Sequence, residues 1–321
     1  MRPRVLLLAL LLGAGARAEA PLPAEHARLA AQSLLIAIAA AGSRLVAVGD
    51  RGVIVLSDDG GAHWRQADAV PTQALLTGVC FFDARRGLVV GHDLVVLSTL
   101  DGGRSWRRTH YEPEAQHPLL DVWCGPDGRA LAVGAYSTFL VSSDAGASWE
   151  ARDFDALVRG AAAAGAPGGY HLNRIAGTVE RLYIAGEAGH LYRSEDGGAH
   201  WRALPSPYAG SFFGVLPLAD DAVLAFGLRG SLFRSGDGGA SWERLDSGTP
   251  AMLDGGAALD AAHVALVGLS GVVLVSGDAG RHFRRLPQPD PGGLSAALPL
   301  GGAVVVVGES GAHRLALGGA P

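Results

Sequence analysis

The sequence predicts an all-β chain, a seven-bladed β-propeller of four-stranded antiparallel blades, and three observations predict it. A turn built on Asp and Gly and followed by an aromatic residue recurs six times: Asp59 with Trp64, Asp101 with Trp106, Asp144 with Trp149, Asp196 with Trp201, Asp237 with Trp242, and Asp278 with Phe283. Successive Asp residues lie 42, 43, 52, 41 and 41 positions apart, about the length of one propeller blade. Short Val- and Leu-rich runs bounded by Gly precede every turn, as hairpin strands require.

The chain opens on a segment of a different kind. Arg2 and Arg4 give a basic start, Val5 to Leu12 is a short apolar run, and Ala16-Arg17-Ala18 offers small residues where a signal peptidase cuts. Residues 1–18 are therefore expected to be a signal peptide cleaved after Ala18, leaving 19–321 as a single exported, periplasmic propeller. In blade one the inner strand begins near Leu34, and Arg44 to Val48 and Gly52 to Leu56 flank a turn at Gly49-Asp50-Arg51. The turn returns at Gly134-Ala135-Tyr136, Gly186-Glu187-Ala188, Gly227-Leu228-Arg229 and Gly268-Leu269-Ser270. Further inner strands are expected at Leu75 to Phe81, Leu119 to Trp123, Arg174 to Gly177, Ser211 to Leu216 and Met252 to Ala257. The one long step places an Ala/Gly/Pro-rich insertion near 154–169, expected to be a mobile surface loop.

A seventh unit runs from Leu294 to Leu317, and its Asp position falls at Gly318, where the chain ends before a fourth strand. Residues from about Pro23 to Ala31 precede blade one without a blade of their own. They are expected to supply that missing outer strand and close the ring, which removes an open sheet edge.

The residue types at the turns follow from their chemistry. An Asp carboxylate accepts from backbone N–H groups further along, Gly takes positive φ, and Ser adds a second local bond. The aromatic residue then covers the turn and fills the widening space between blades. With Ser57, Asp59, Gly61, His63 and Trp64 as the first copy, the motif resembles the sialidase-type Asp box (BNR repeat), a structural turn in the families that carry it.

Composition excludes several functions. All 26 basic residues are Arg, so no lysine Schiff base or phosphate-loop lysine is available. The mature chain would carry a charge of about −8, which argues against general nucleic-acid binding. Arg65, Arg107, Arg108, Arg152, Arg202, Arg244, Arg284 and Arg285 follow the aromatic positions, where charge protects outer strands from edge pairing. Cys80 and Cys124 lie on neighbouring inner strands but are offset by one position, which favours buried free thiols over a disulfide. No spacing suits a metal, no cofactor is expected, and a monomer is expected.

Function is expected on the face opposite the Asp turns. The loops between strands two and three present Arg51, Asp93, Tyr136, Glu187, Arg229, Ser270 and Glu309; those entering strand one present Gln73, His117, His171, Asn173, Ser211 and Phe212. From these, Arg51, Tyr136, His171, Asn173, Glu187, Ser211, Phe212 and Arg229 form the candidate partner-binding set, with no catalytic residue. A sialidase-like glycan-binding protein or glycoside hydrolase is the alternative. Arg51, Arg229, Tyr136 and Glu187 give part of a sialidase set, yet the Arg-Ile-Pro segment that supplies its first Arg is missing.

Repeated Ser-x-Asp-Gly-Gly-x-x-Trp boxes, Gly-x-x-Gly turns, seven units and an export signal together resemble the photosystem II stability/assembly factor family. Pro71 to Thr77, Gly91-His92-Asp93, His171-Leu172-Asn173 and Gly210 to Gly214 are similar to a bacterial, non-photosynthetic branch. The resemblance spans nearly the whole mature chain. It implies a non-catalytic exported factor that binds a membrane-protein complex or its subunit. In photosynthetic members the client is a reaction-centre polypeptide, and in this branch an exporter of the resistance-nodulation-division (RND) type is a plausible client.

Overall fold

The computed structural model describes residues 22–159, 169–288 and 290–316. These form seven sheets arranged as the blades of a propeller, antiparallel apart from one short parallel edge strand in blade four. The inner strands are Leu35–Ala41, Leu76–Phe81, Leu119–Cys124, Leu172–Thr178, Phe212–Pro217, Leu253–Ala258 and Leu294–Leu300. Each begins on a large apolar residue paired with the Gly that ends strand two, from Leu35 opposite Gly49 to Leu294 opposite Gly308. Those Gly residues are dictated by close approach: a Cβ on Gly49 would lie 2.0 Å from the Leu34 carbonyl oxygen, and one on Gly308 equally close to that of Gly293. Second strands, and third strands in blades one to six, are largely buried because each blade packs between two others, whereas the third strand of blade seven, Gly311–Ala316, is mostly exposed.

The six Asp turns have one geometry. The hydroxyl of Ser57, or its counterpart in the other five, donates to the Asp Oδ1 at 2.7–2.9 Å and accepts from the Gly N–H at 2.8–3.0 Å. The residue before the aromatic ring donates its backbone N–H to the same Oδ1 at 2.9–3.0 Å. Its side chain, His or Ser, meets Oδ2 at 2.6–2.7 Å. In three turns the indole also closes on the Gly carbonyl: Trp64 on Gly61, Trp106 on Gly103 and Trp201 on Gly198. The Trp149 and Trp242 Nε1 atoms are buried without a partner among the described residues.

These bonds hold the turn carboxyls low. The Ser148 and Ser241 hydroxyls, donating to Asp144 and Asp237, bring both down to about 2. A carboxyl lower in the folded than in the unfolded chain contributes stability above about pH 4 and loses it as the pH falls toward 2. Urea midpoints measured from pH 6 to pH 2 are expected to drop through this window, and Asp144→Asn to flatten part of the acid limb.

The Arg-only composition acquires a structural role. Arg44 donates to the carbonyl of Gly102 at 3.1 Å, Arg129 to Gly197 at 3.0 Å, Arg193 to Gly238 at 2.8 Å and Arg234 to Ala279 at 3.2 Å. Each reaches from one blade to the Asp turn of the next, and Arg suits this because its planar fork can serve adjacent carbonyls. Arg44 and Arg129 each contact two. The Arg residues after the aromatic positions are exposed, apart from the half-buried Arg108.

Three expectations are corrected. Cys80 and Cys124 form a disulfide with Cα atoms 5.7 Å apart. Blades pack face to face, so residues at matching positions point the same way round the ring and miss one another. An offset of one position turns Cys124 back toward Cys80, which is what an inter-blade bridge needs.

The seventh blade has three strands among the described residues. The N-terminal segment closes the seam by packing: Ala30 is buried among Leu35, Val53, Val55, Ala296 and Val307, between blades seven and one. It bonds to blade one and the linker after it, through Ala24 N–H to the Val70 carbonyl and Gln66 to the Glu25 carbonyl and the Ala27 N–H, rather than through a strand ladder.

The insertion is built in where it is described. Asp153 caps a helical turn at Phe154–Leu157, and Val158–Arg159 pairs parallel to Trp201–Ala203. Phe154 is 1% exposed, against Phe139, Tyr192 and Trp201. Residues 160–168 of the insertion, the signal segment and Gly318 lie outside the described residues.

Candidate functional site

The face opposite the Asp turns is a ring of tight hairpins. In six blades the residue at the tip has positive φ although it is not Gly: Arg51, Asp93, Tyr136, Ala188, Arg229 and Ser270, at 50–60°. The next residue is also left-handed, as in Gly52 and Ser137, which makes a type I′ turn. A side chain with a Cβ at such a tip costs about 1 kcal/mol relative to Gly. Five of the six tips nonetheless carry a polar or aromatic side chain, and their backbone strain accompanies outward display.

One bond fastens each tip to the loop entering the inner strand. The N–H groups of Asp50, His92, Ala135, Glu187, Leu228, Leu269 and Glu309 donate to the carbonyls of Leu34, Leu75, Pro118, His171, Ser211, Met252 and Gly293 at 2.9–3.1 Å. The two loop sets read from the sequence are thus one rigid rim. Glu187 and Glu309 occupy the pre-tip position of Asp50 and so differ from Arg51 in role. Their carboxylates accept from the N–H of His171 at 3.0 Å and of Gly293 at 2.9 Å.

Blades three and four gather the densest group. Tyr136 is 56% exposed, and its ring centroid lies 5.0 Å from those of both His117 and His171. His171 Nδ1 is 3.5 Å from Glu187 Oε1. Behind them the Tyr170 and His190 rings lie 4.2 Å apart, tilted by 31°, and His190 Nδ1 lies 2.8 Å from the Glu187 carbonyl oxygen. Tyr170 and His190 were not anticipated; aromatic residues immediately before a rim loop and after a tip were the available signal.

The other candidates separate. Phe212 is withdrawn from the binding set: it is 0% exposed, in the core of blade five with Tyr208 and Phe233. It sits where the other blades have Leu35, Leu76, Leu119, Leu172, Leu253 and Leu294, so the repeat already marked it as core. Asn173 Nδ2 donates to the Phe212 carbonyl at 2.8 Å and ties blade four to blade five. Ser211 is half-buried, its carbonyl engaged by Leu228. Arg229 is exposed beside Leu228, and Leu269 is exposed on the next blade. Arg51, on blade one, lies with Nε 3.8 Å from Asp50 Oδ2. Among the described residues no three His, Cys, Asp or Glu side chains gather as a metal site.

No protein-family model matches the chain. In sequence it is 30% identical over 112 residues to the photosystem II assembly lipoprotein Ycf48 of Synechococcus sp. (strain CC9902), a segment covering 34% of this chain and 33% of that relative. Among solved structures, Ycf48 bound to a D1 peptide superposes with a TM-score of 0.73 at 17% identity, covering 94% of this chain and 100% of that one. Ycf48 from Cyanidioschyzon merolae gives 0.70 at 20% identity over 91% and 97% of the two chains. The chain is therefore similar to the Ycf48 photosystem II assembly factors, in sequence over one third of its length and in fold over nearly all of it.

Proposed function

We propose that the chain is an exported, non-catalytic binding propeller that engages a membrane-protein complex through the rim opposite its Asp turns. The observation that carries this reading is the rim itself: six left-handed tips, with Tyr136 displayed between His117 and His171. Exposed Tyr and Arg on a rigid frame give contact area at small entropic cost, which suits a polypeptide partner. The similar Ycf48 structure holds a D1 peptide, which supports a membrane-complex subunit as the kind of partner. The client is then a reaction-centre polypeptide or an RND-type exporter. A periplasmic location is supported by the Cys80–Cys124 disulfide, which suits an oxidising compartment. The six turns are read as sialidase-type Asp boxes with a framework role.

Crosslinking from position 270, an exposed tip on the same rim, in the native envelope, followed by identification of the captured subunit, tests the reading. Tyr136→Ala and Arg229→Ala are each expected to weaken capture about tenfold or more, as aromatic and Arg anchors do. An unaffected complex, or no captured membrane subunit, would count against it.

The glycoside reading has one observation in its favour, Tyr136 and Glu187 on neighbouring blades around His171. Glu187, however, is engaged by the His171 N–H, which leaves it poorly placed to activate the Tyr136 phenol. Turnover of a fluorogenic sialoside that is abolished by Tyr136→Phe would reverse the order of the two readings.

A further inference from the structure

The axis of the ring holds charged side chains that the rim does not use. A cavity of about 160 Å³, lined chiefly by small and apolar inner-strand residues, contains Asp121 from blade three, Arg174 from blade four and Asp254 from blade six. Asp121 is the partnered carboxylate: Oδ2 accepts from the Ile175 N–H at 3.0 Å and lies 3.9 Å from Arg174 Nε, although burial pushes its carboxyl upward too. Arg174 also reaches across the ring, where Nη2 donates to the backbone carbonyl of Asp254 at 3.4 Å. The Asp254 carboxylate has no hydrogen-bond partner among the described residues.

Two carboxylates thus face one guanidinium, and Arg174 with Asp121 leaves Asp254 unbalanced. Asp254 is half-buried, so its carboxylate opens onto the cavity, and burial still pushes the carboxyl upward, with Arg174 opposing it. Such a group is stabilised by taking up a proton or a cation. The register sets the direction of access. Asp254 occupies the bulge between Leu253, opposite Gly268, and Gly255, opposite Val267, whereas Asp121 lies past that bulge, opposite Val133. Asp254 is therefore the carboxylate nearer the rim. A divalent metal is poorly served, since no third ligating side chain joins the two carboxylates. The cavity has room for about five water-sized volumes, enough for an ammonium group on a short alkyl stem.

We propose that the axial cavity binds a single alkylammonium group, its charge met by the Asp254 carboxylate while Arg174 holds Asp121. The amine belongs either to a lysine side chain of a polypeptide lying on the rim or to a small free amine. This inference stands apart from the partner reading, because the cavity can be titrated without any partner.

Thermal unfolding of the full mature chain at pH 7.5 in rising ethylammonium chloride, with sodium chloride at matched ionic strength, tests it. Wild type is expected to show a saturable rise in Tm of about 1–3 °C over the sodium control. Asp254→Asn, a neutral isostere that should fold, is expected to lose that rise, and Asp254→Ser to lose it too. Asp121→Asn is expected to retain it. No rise above sodium in wild type, or an equal rise in both Asp254 variants, would overturn the proposal. Peptides with a central lysine or its Nε-acetyl form separate the sources. A rise with the lysine peptide at tenfold lower concentration than ethylammonium, absent with the acetyl form, assigns a polypeptide ligand; a rise with ethylammonium alone assigns a free amine.

Discussion

Trp201→Ala is expected to lower the free energy of unfolding by about 3–5 kcal/mol, the range for removing a buried aromatic side chain. Trp201 is 1% exposed and lies 6.1 Å from Phe139 and 5.9 Å from Phe154, centroid to centroid. Its loss would open a void where blade three, blade four and the start of the insertion meet, and the two rings against it, Phe139 and Phe154, cannot collapse to fill it. Trp64 makes the same indole bond but is only half-buried at the seam beside blade seven. Trp64→Ala is therefore expected to cost less, about 1–2 kcal/mol. Urea denaturation of the two variants measures the difference. Equal losses would show that the turn aromatics act through the turn alone and that inter-blade filling contributes little.

Breaking the Cys80–Cys124 bond is expected to cost up to about 4 kcal/mol. The cysteines are 44 residues apart, and a cross-link closing a loop of that size restricts the unfolded chain by about this amount. The bond also joins two blades that otherwise cohere by apolar packing around Leu88, Val90, Val122 and Ala132. Dithiothreitol should lower the Tm of wild type to near that of the Cys80→Ser/Cys124→Ser double variant, and leave the double variant unmoved. If the reductant shifts both proteins equally, the bridge is not the source of the loss.

How much was legible follows a physical division. The Asp turns are local: Ser57, Asp59, Gly61 and His63 lie within seven residues, so their spacing and chemistry specify the same bonds found in space. The strands were legible for the same reason, since alternation and bounding Gly act over a few positions. The rim residues were placed on the correct face because blade connectivity fixes which loops share an end. Phe212 shows the limit of reading single positions: as a loop residue it looked available, whereas its alignment with the six Leu residues of the other inner strands made it core.

The sequence by itself determined the repeat, the blade count, the turn geometry and the face on which the rim stands. Only the tertiary structure decided that Cys80 meets Cys124, that the N-terminal segment closes the seam by packing, that Arg44, Arg129, Arg193 and Arg234 clamp the next blade, and that Asp121, Arg174 and Asp254 share one cavity. Several of these partners lie about one repeat apart, Cys80 and Cys124 at 44 residues and Arg193 and Gly238 at 45, but that spacing does not say which side chains meet. The contacts depend on which face of one blade meets its neighbour and on which side chains reach the axis, and those are set when the ring closes.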